Sequence, residues 1–345
     1  MQTLPVTIQT IFAELTERIA AREAARSVAH LSGSFAAKTV SGQRYWYFKS
    51  SQPGAGQLEY YLGAASPALN RLMDAHREGR SEKAAEDSET ASLCSMLRSG
   101  GANVLDATAA RVLRALSDAG VFRLGGMLVG TYAYVVLGNV LGVRWQRATR
   151  TQDLDIAARA SLAVAVPTIA TDAPGILDSL QMGFLPVPGL DPGAPSTSFK
   201  VRGRQLRVDF LTPQFGRQRP GPVSIPRLGV AATPLPLLDY LIDSRIETVA
   251  VNGSAVPVSV PDPARYALHK LVVADRRPVA QQGKAAKDRD QARELLSWLE
   301  QERPEDIELA LTAARDHYRA VHAGIRKAAR RLEPGPLRDR LAGSR

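Results

Sequence analysis

From Leu124 to Val143 the chain reads "LGGMLVGTYAYVVLGNVLGV", twenty residues without a charged side chain. A run of that length and polarity either spans a bilayer or is buried inside a folded core. Gly125, Gly126, Gly130, Gly138 and Gly142 interrupt it, and Asn139 and two tyrosines lie within it. A lipid helix gains little from so many glycines, whereas a buried strand, a glycine turn and a buried helix use them. The run is therefore read as strand, turn and helix in the core of an α+β protein, and no membrane association is expected.

Around this run the hydrophobic period changes type several times. Ile8, Ile11, Phe12, Leu15 and Ile19 recur at helical spacing, predicting an amphipathic helix over 7–30. Residues 33–63 alternate, with aromatics and glycine breaks, and predict a small antiparallel sheet. Helices are predicted over 66–98 and 103–119, then a strand in "VFRLGGMLVG", a helix in "TYAYVVLGNVL" and a strand in "QDLDIAA". A helix near 172–182 follows, then a hairpin of "STSFKVRG" and "RQLRVDFLT" broken at Gly203. Residues 213–236, rich in Pro, Gly and Arg, read as a connection. Beyond it come helices over 236–246 and 262–276, two strands between them, and helices over 285–301 and 304–331. Three regions are expected: 1–102, helical with a small antiparallel sheet; 103–235, a mixed sheet with helices; and 236–345, mainly helical with a basic tail.

The chain has 345 residues, enough for more than one compact unit, and a formal charge of +10 that favours an anionic partner such as a nucleotide or nucleic acid. Its one cysteine, Cys94, excludes an internal disulfide framework or a Cys-rich zinc site and reads as a small, half-buried hydrophobe. The N-terminus lacks the cationic start and apolar core of a signal peptide, so a cytoplasmic location is expected.

Within "TQDLDIA" Asp153 and Asp155 stand two apart in an apolar stretch. On a strand such residues share a face, so the carboxylates project together while Leu154 and Ile156 point to the core. Like charges that close are costly unless a cation joins them, and Mg²⁺, a hard ion held by oxygens, fits the need. Asp-x-Asp alone is weak evidence. "KDRD" at 287–290 is a control, because on a predicted helix residues two apart diverge. Context strengthens the first pair. Upstream, "LVGTY" runs from a strand into Gly130-Thr131 and then a helix, whose free N–H groups suit phosphate. Gly125-Gly126 is the rival turn, but a helix starts more readily at Thr131. Downstream, "RVDFLTP" sets Asp209 inside another apolar strand beside Arg207.

Strand, Gly-Thr, helix, Asp-x-Asp and a third acid, in that order, resemble the nucleotidyltransferase superfamily with the DNA polymerase β-like fold. The longer pattern "LGGMLVGTYAY", "TQDLDIA", "RVDFLTP", "VPDPARYALHKL" and "KAAKDRDQARELL" is similar to a bacterial group of stand-alone nucleotidyltransferases, related to those of abortive-infection and toxin–antitoxin systems. The likeness covers roughly residues 105–300, and "GSFAAKTVSGQRYWYFK" resembles the same group's N-terminal region. Two departures stand out. Toxin relatives carry Arg-x-Thr-x-Asp-x-Asp, whereas "RTQDLD" sets Arg150 next to Thr151, and Gly130 lies further from Asp153 than in the shortest members.

The resemblance implies an α+β polymerase β-like core and Mg²⁺- or Mn²⁺-dependent transfer of a nucleoside monophosphate from an NTP to an acceptor hydroxyl. Asp153 and Asp155 would be shared metal ligands, and Asp209 would complete the acceptor-side metal and help deprotonate the hydroxyl. Gly130 and Thr131 would meet the triphosphate, with Lys270 and then Lys287 as its counter-cations. Both lysines also read as ordinary helix-surface residues, His269 reads as a packing or hydrogen-bonding residue, and nothing in the spacing singles out Arg276 or Arg277. The acceptor stays open between RNA, tRNA included, a protein and a small molecule. "RYWYFK" at 44–49 interleaves aromatics with cations as single-strand platforms do. Its plainer reading turns Tyr45 and Tyr47 inward under a small sheet. The competing function is a non-catalytic nucleic-acid-binding protein or toxin–antitoxin component on the same fold, against which the three acids argue.

Overall fold

The computed structural model describes residues 1–24, 33–50, 59–146, 149, 151–160, 171–189, 191, 193–214, 216 and 221–343. The chain begins with β1 (Gln2–Thr3), α1 (Val6–Ala24), an antiparallel sheet of β2 (Gly33–Val40), β3 (Gln43–Ser50) and β4 (Glu59–Ala64), and the long α2 (Pro67–Ser99). Next come α3 (Ala107–Asp118), β5 (Met127–Val129), α4 (Gly130–Val140), β6 (Val143–Arg144), β7 (Asp153–Ala157), α5 (Ala173–Ser179) and β8 (Phe184–Pro186). β9 (Ser198–Val201) and β10 (Arg207–Pro213) are followed by β11 (Val223–Ile225), β12 (Val230–Leu235) and α6 (Leu238–Ile242). A hairpin of β13 (Arg245–Asn252) and β14 (Ser254–Pro261) leads to α7 (Pro263–Arg276), α8 (Gln282–Glu302), α9 (Pro304–His317), α10 (Arg319–Ala329) and α11 (Pro336–Ala342).

A seven-stranded mixed sheet organises the centre, in the order β11-β12-β10-β7-β5, with β9 joined to β10 and β8 to β9. β10 is its axis. It pairs in parallel with β7, and its other edge is shared by antiparallel β9 near Arg207 and parallel β12 near Leu211. One continuous apolar core runs from Leu105 to Leu341, and a second joins α1 and the end of α2 to β13 and β14.

The charge-free run is resolved by burial on every side. β5 is buried throughout, and every residue of α4 from Thr131 to Asn139 is buried. Among the described residues no helix is long and apolar enough to cross a membrane. Its one amide is satisfied inside the core. Asn139 Oδ1 accepts from Asn103 N at 2.7 Å and Nδ2 at 3.1 Å, while Asn139 Nδ2 donates to Asn103 O at 2.8 Å. Trp145 stacks on Tyr134, with ring centroids 4.5 Å apart.

Several expectations need correction. The strand expected in "VFRLGGMLVG" is confined to Met127–Val129, because Gly120 and Gly125 take left-handed φ and fold the preceding residues into turns. The expected connection over 213–236 supplies β11 and β12, and β12 extends the main sheet; its proline content concealed a strand with little β-branched character. The helix expected over 304–331 is two, parted at Tyr318. In β3 the alternation runs opposite to the inward-tyrosine reading: Trp46 is buried and its Nε1 donates to Asn70 Oδ1 of α2, whereas Tyr45 and Tyr47 lie on the other face with Tyr61. Cys94 is fully buried, and burial pushes its thiol up to about 11, an inert packing residue.

Because Asn103 depends on Asn139 for three bonds, Asn139→Ala leaves buried polar groups unpaired. It is expected to cost about 2–3 kcal/mol. Urea unfolding should show a lower midpoint with an unchanged slope, and an unchanged midpoint would refute the role given to this amide pair.

Candidate active site

The site is built on the parallel seam between β7 and β10. Leu154, Ile156, Val208 and Phe210 are fully buried on one face, which turns Asp153, Asp155, Arg207 and Asp209 to the other. Register sets Asp155 beside Asp209 and Asp153 beside Arg207. Neighbouring strands lie about 4.8 Å apart, so the two carboxylates crowd one another. Burial first, and the charge of Asp209 second, push the Asp155 carboxyl up to about 6 from its ordinary 3.8. Lys270 and Lys284 relieve part of that shift, and Lys284 Nζ lies 3.3 Å from Asp153 Oδ2. Asp209 is held by its own neighbours: its Oδ1 accepts from Ser198 Oγ and, at 2.7 Å, from Arg207 Nε.

Directly above Asp155 the chain turns at Gly130. Its φ of +67° favours glycine, and a Cβ there would collide with Asp155 Oδ2. α4 begins at this residue with no side-chain cap on its first N–H groups, and Gly130 and Thr131 line the cleft. Tyr266 Oη donates to Gly130 O at 2.9 Å and fixes the turn from α7. Thr131 lines the cleft, but its hydroxyl is buried and accepts from Gln291 Nε2 at 3.3 Å, so its backbone, not its hydroxyl, is the group available to a ligand.

Opposite the acids, α7 and α8 contribute cations. A cleft of about 440 Å³ is lined by Gly130, Thr131, Asp153, Asp155 and Asp209 on one side and by Lys270, Arg276, Arg277, Lys284 and Lys287 on the other. Lys270 and Arg277 are both tied to Asp288, at 2.6 Å each. Burial pushes the Asp288 carboxyl up, yet the charges and hydrogen bonds of Lys270 and Arg277 outweigh it and hold it below the usual range. Burial, then the charge of Lys270, lowers Lys287 from its ordinary value. His269 lines the same cleft; burial and Lys270 lower it to about 3, so its ring is neutral, and its Nε2 has no hydrogen-bond partner among the described residues.

All the expected site residues thus meet at one cleft, Arg150 lying outside the described residues. Sequence reasoning missed Asp288, Lys284, Tyr266 and Gln291, and named Arg277 without singling it out. Asp288 stood in the "KDRD" control, where the helical divergence holds: Asp288 is buried and Asp290 exposed. The buried partner of two cations is legible only once α7 and α8 are packed together. As the side chains stand, no three His, Cys, Asp or Glu among the described residues are gathered closely enough to hold a metal ion. The donors nevertheless suit a hard divalent cation. Asp153 and Asp155 supply two carboxylates from one strand face, and such an ion takes one or two carboxylates with the remaining oxygens from phosphate. The raised Asp155 carboxyl marks a place where positive charge is in demand.

A family model described as Nucleotidyltransferase matches residues 107–316. The chain therefore belongs to the nucleotidyltransferase family, enzymes that transfer a nucleoside monophosphate. No curated protein matches it. Two solved structures align at low similarity. One is the antibiotic-resistance factor ANT(2'')-Ia, at 15% identity and TM-score 0.34, covering 64% of this chain and 97% of the other. The other is an antigenic nucleotidyltransferase-like protein from Paracoccidioides brasiliensis, at 15% identity and TM-score 0.32, covering 62% and 90%.

The crowding at Asp155 predicts a pH dependence of stability. Between the ordinary 3.8 and about 6 the folded metal-free protein keeps a proton that the unfolded chain has released. Stability from this group therefore falls as pH rises through that window and stays reduced above it. Asp155→Asn should raise the thermal midpoint in chelator at about pH 8, by an increment that shrinks toward about pH 4. A variant no more stable than the wild type at the higher pH contradicts this assignment.

Proposed function

We propose that this nucleotidyltransferase joins a nucleoside monophosphate from an NTP to an acceptor hydroxyl, with Mg²⁺ or Mn²⁺ at Asp153, Asp155 and Asp209. The observation that carries this reading is the register of Asp155 with Asp209 beneath the glycine turn that starts α4. A divalent cation held there would neutralise the α-phosphate and the charge developing on the reacting oxygens.

The chain's own residues do the rest by positioning and charge. The first N–H groups of α4, at Gly130 and Thr131, receive the triphosphate oxygens. Lys270 and Lys287 counter its charge, with Arg276 and Arg277 at the same wall. Asp288 and Gln281 hold Arg277 in place, at 2.6 and 3.0 Å. The acceptor oxygen bonds to the α-phosphorus as the bond from that phosphorus to the bridging oxygen of pyrophosphate breaks. Asp209 takes the hydroxyl proton, and Ser198 and Arg207 keep its carboxylate aimed. Pyrophosphate leaves along the Lys270 wall.

The test is transfer of label from each α-labelled NTP to candidate acceptors with Mg²⁺. Asp155→Asn and Asp209→Asn are each expected to lower the rate by about 10²–10³-fold, while nucleotide binding changes far less. Transfer that survives in both variants would overturn the assignment of these acids.

A further inference from the structure

A second cleft, which the nucleotide reading leaves unused, meets the first at Thr151, Asp153 and Lys287. At about 1160 Å³ it is well over twice the volume of the nucleotide cleft. Its walls come from the 102–106 segment, α3, the start of α4, β6 and the residues after it, and the β9–β10 turn. Resting on the nucleotidyl-transfer reading, we propose that this cleft is the acceptor site and takes a hydroxyl flanked by phosphate, the terminal nucleotide of an RNA strand.

Three observations carry the assignment. The first is position. Both clefts share Asp153, so a group in the second approaches that carboxylate from a different cleft than the nucleotide does. In-line displacement needs separate approaches, with the attacking oxygen on one side of the α-phosphorus and pyrophosphate on the other.

The second is charge. Arg144 and Arg204 line the second cleft, are exposed, and have no ion pair or side-chain hydrogen bond among the described residues. Of the two acids in the lining, Asp106 has its hydrogen bonds made within the fold. Asp106 Oδ1 caps α3 by accepting from Thr108 N and Ala109 N, and its Oδ2 accepts from Tyr132 Oη at 2.6 Å. The lining carries Arg144, Arg204 and Lys287 against the carboxylates of Asp106 and Asp153, and Lys284 meets Asp153 as well. The two guanidinium groups without an ion pair among the described residues therefore favour an anionic acceptor over a cationic one. Guanidinium groups suit phosphate, which they can grip through two parallel N–H bonds.

The third is size. A cleft larger than the one that fits an NTP has room for more than a single nucleotide, so a strand end fits better than a free mononucleotide. Thr149 and Gln152 add polar groups along the wall for sugar and base.

The test compares the wild-type protein with Arg144→Glu/Arg204→Glu, two exposed positions whose change leaves the core intact. Fluorescence anisotropy of a labelled short single-stranded RNA, read without NTP, measures acceptor binding apart from turnover. The proposal expects the double variant to bind that RNA at least about tenfold more weakly, and its affinity to depend less steeply on salt, by about 1.4 in the log–log slope for Arg144→Ala/Arg204→Ala. NTP affinity should stay unchanged. In the transfer assay, label should enter RNA with a free 3′ hydroxyl, and the KM for RNA should rise in the variant while that for NTP does not. Equal RNA binding by the variant and the wild type overturns the cleft assignment. Label entering a nucleoside monophosphate in preference to the strand, or a phosphate-free peptide, overturns the strand-end acceptor. Absence of transfer to any acceptor, with RNA binding still lost in the variant, overturns the transfer reading and leaves the cleft as an RNA site.

Discussion

Two parallel strands, β7 and β10, pair so that Asp155 lies beside Asp209, and much else in the structure answers the repulsion this creates. In water such a pair would repel weakly. Beneath α4, burial first and the charge of Asp209 second push Asp155 up to about 6. A chain selected for stability alone has no reason to align two acids on the inner strands of its main sheet. The proposed function supplies one, because a site meant for a cation and triphosphate would be under strain when empty and relieved when filled.

The surroundings divide that electrostatic problem among separate elements. Arg207 and Ser198 hold Asp209 from within the sheet, Lys284 approaches Asp153 from α8, and Lys270 faces Asp155 from α7. Asp288 ties Lys270 and Arg277 into one rigid unit, so the cations remain in position without collapsing onto the acids. Buried pairs of this kind contribute little net stability, since desolvation offsets their attraction. Their effect here is geometric: they fix where positive charge stands around the cleft. Tyr266 links that wall to the glycine turn through its bond to Gly130 O.

Much of this was legible in the sequence, and the reasons differ by element. Strand alternation put Asp153 and Asp155 on one face, and glycine followed by a helix-forming run marked Gly130 as a turn. Asp209 stood out because an acid flanked by Val208 and Phe210 in an apolar strand is uncommon. Pairings that depend on tertiary packing were not legible. Nothing in "RVDFLTP" or "QDLDIAA" states that the strands are parallel or that Asp155 meets Asp209. Nothing in "KDRD" reveals that Asp288 lies under Lys270. β12 is concealed because prolines recur throughout the 213–236 segment and its own residues, VAATPL, show little β-branched character. In "RYWYFK" the ambiguity was one of register, since shifting a strand by one residue exchanges its faces.

The proposed cation site is the seam of β7 and β10, with the aligned acids as its ligands. Titration of Mn²⁺ into the protein, followed by the loss of the free ion's paramagnetic resonance signal, measures this directly. Binding is expected to be saturable, to tighten when NTP is present and to be lost in Asp155→Asn. Equal Mn²⁺ binding by that variant and the wild type, with and without NTP, would contradict this assignment.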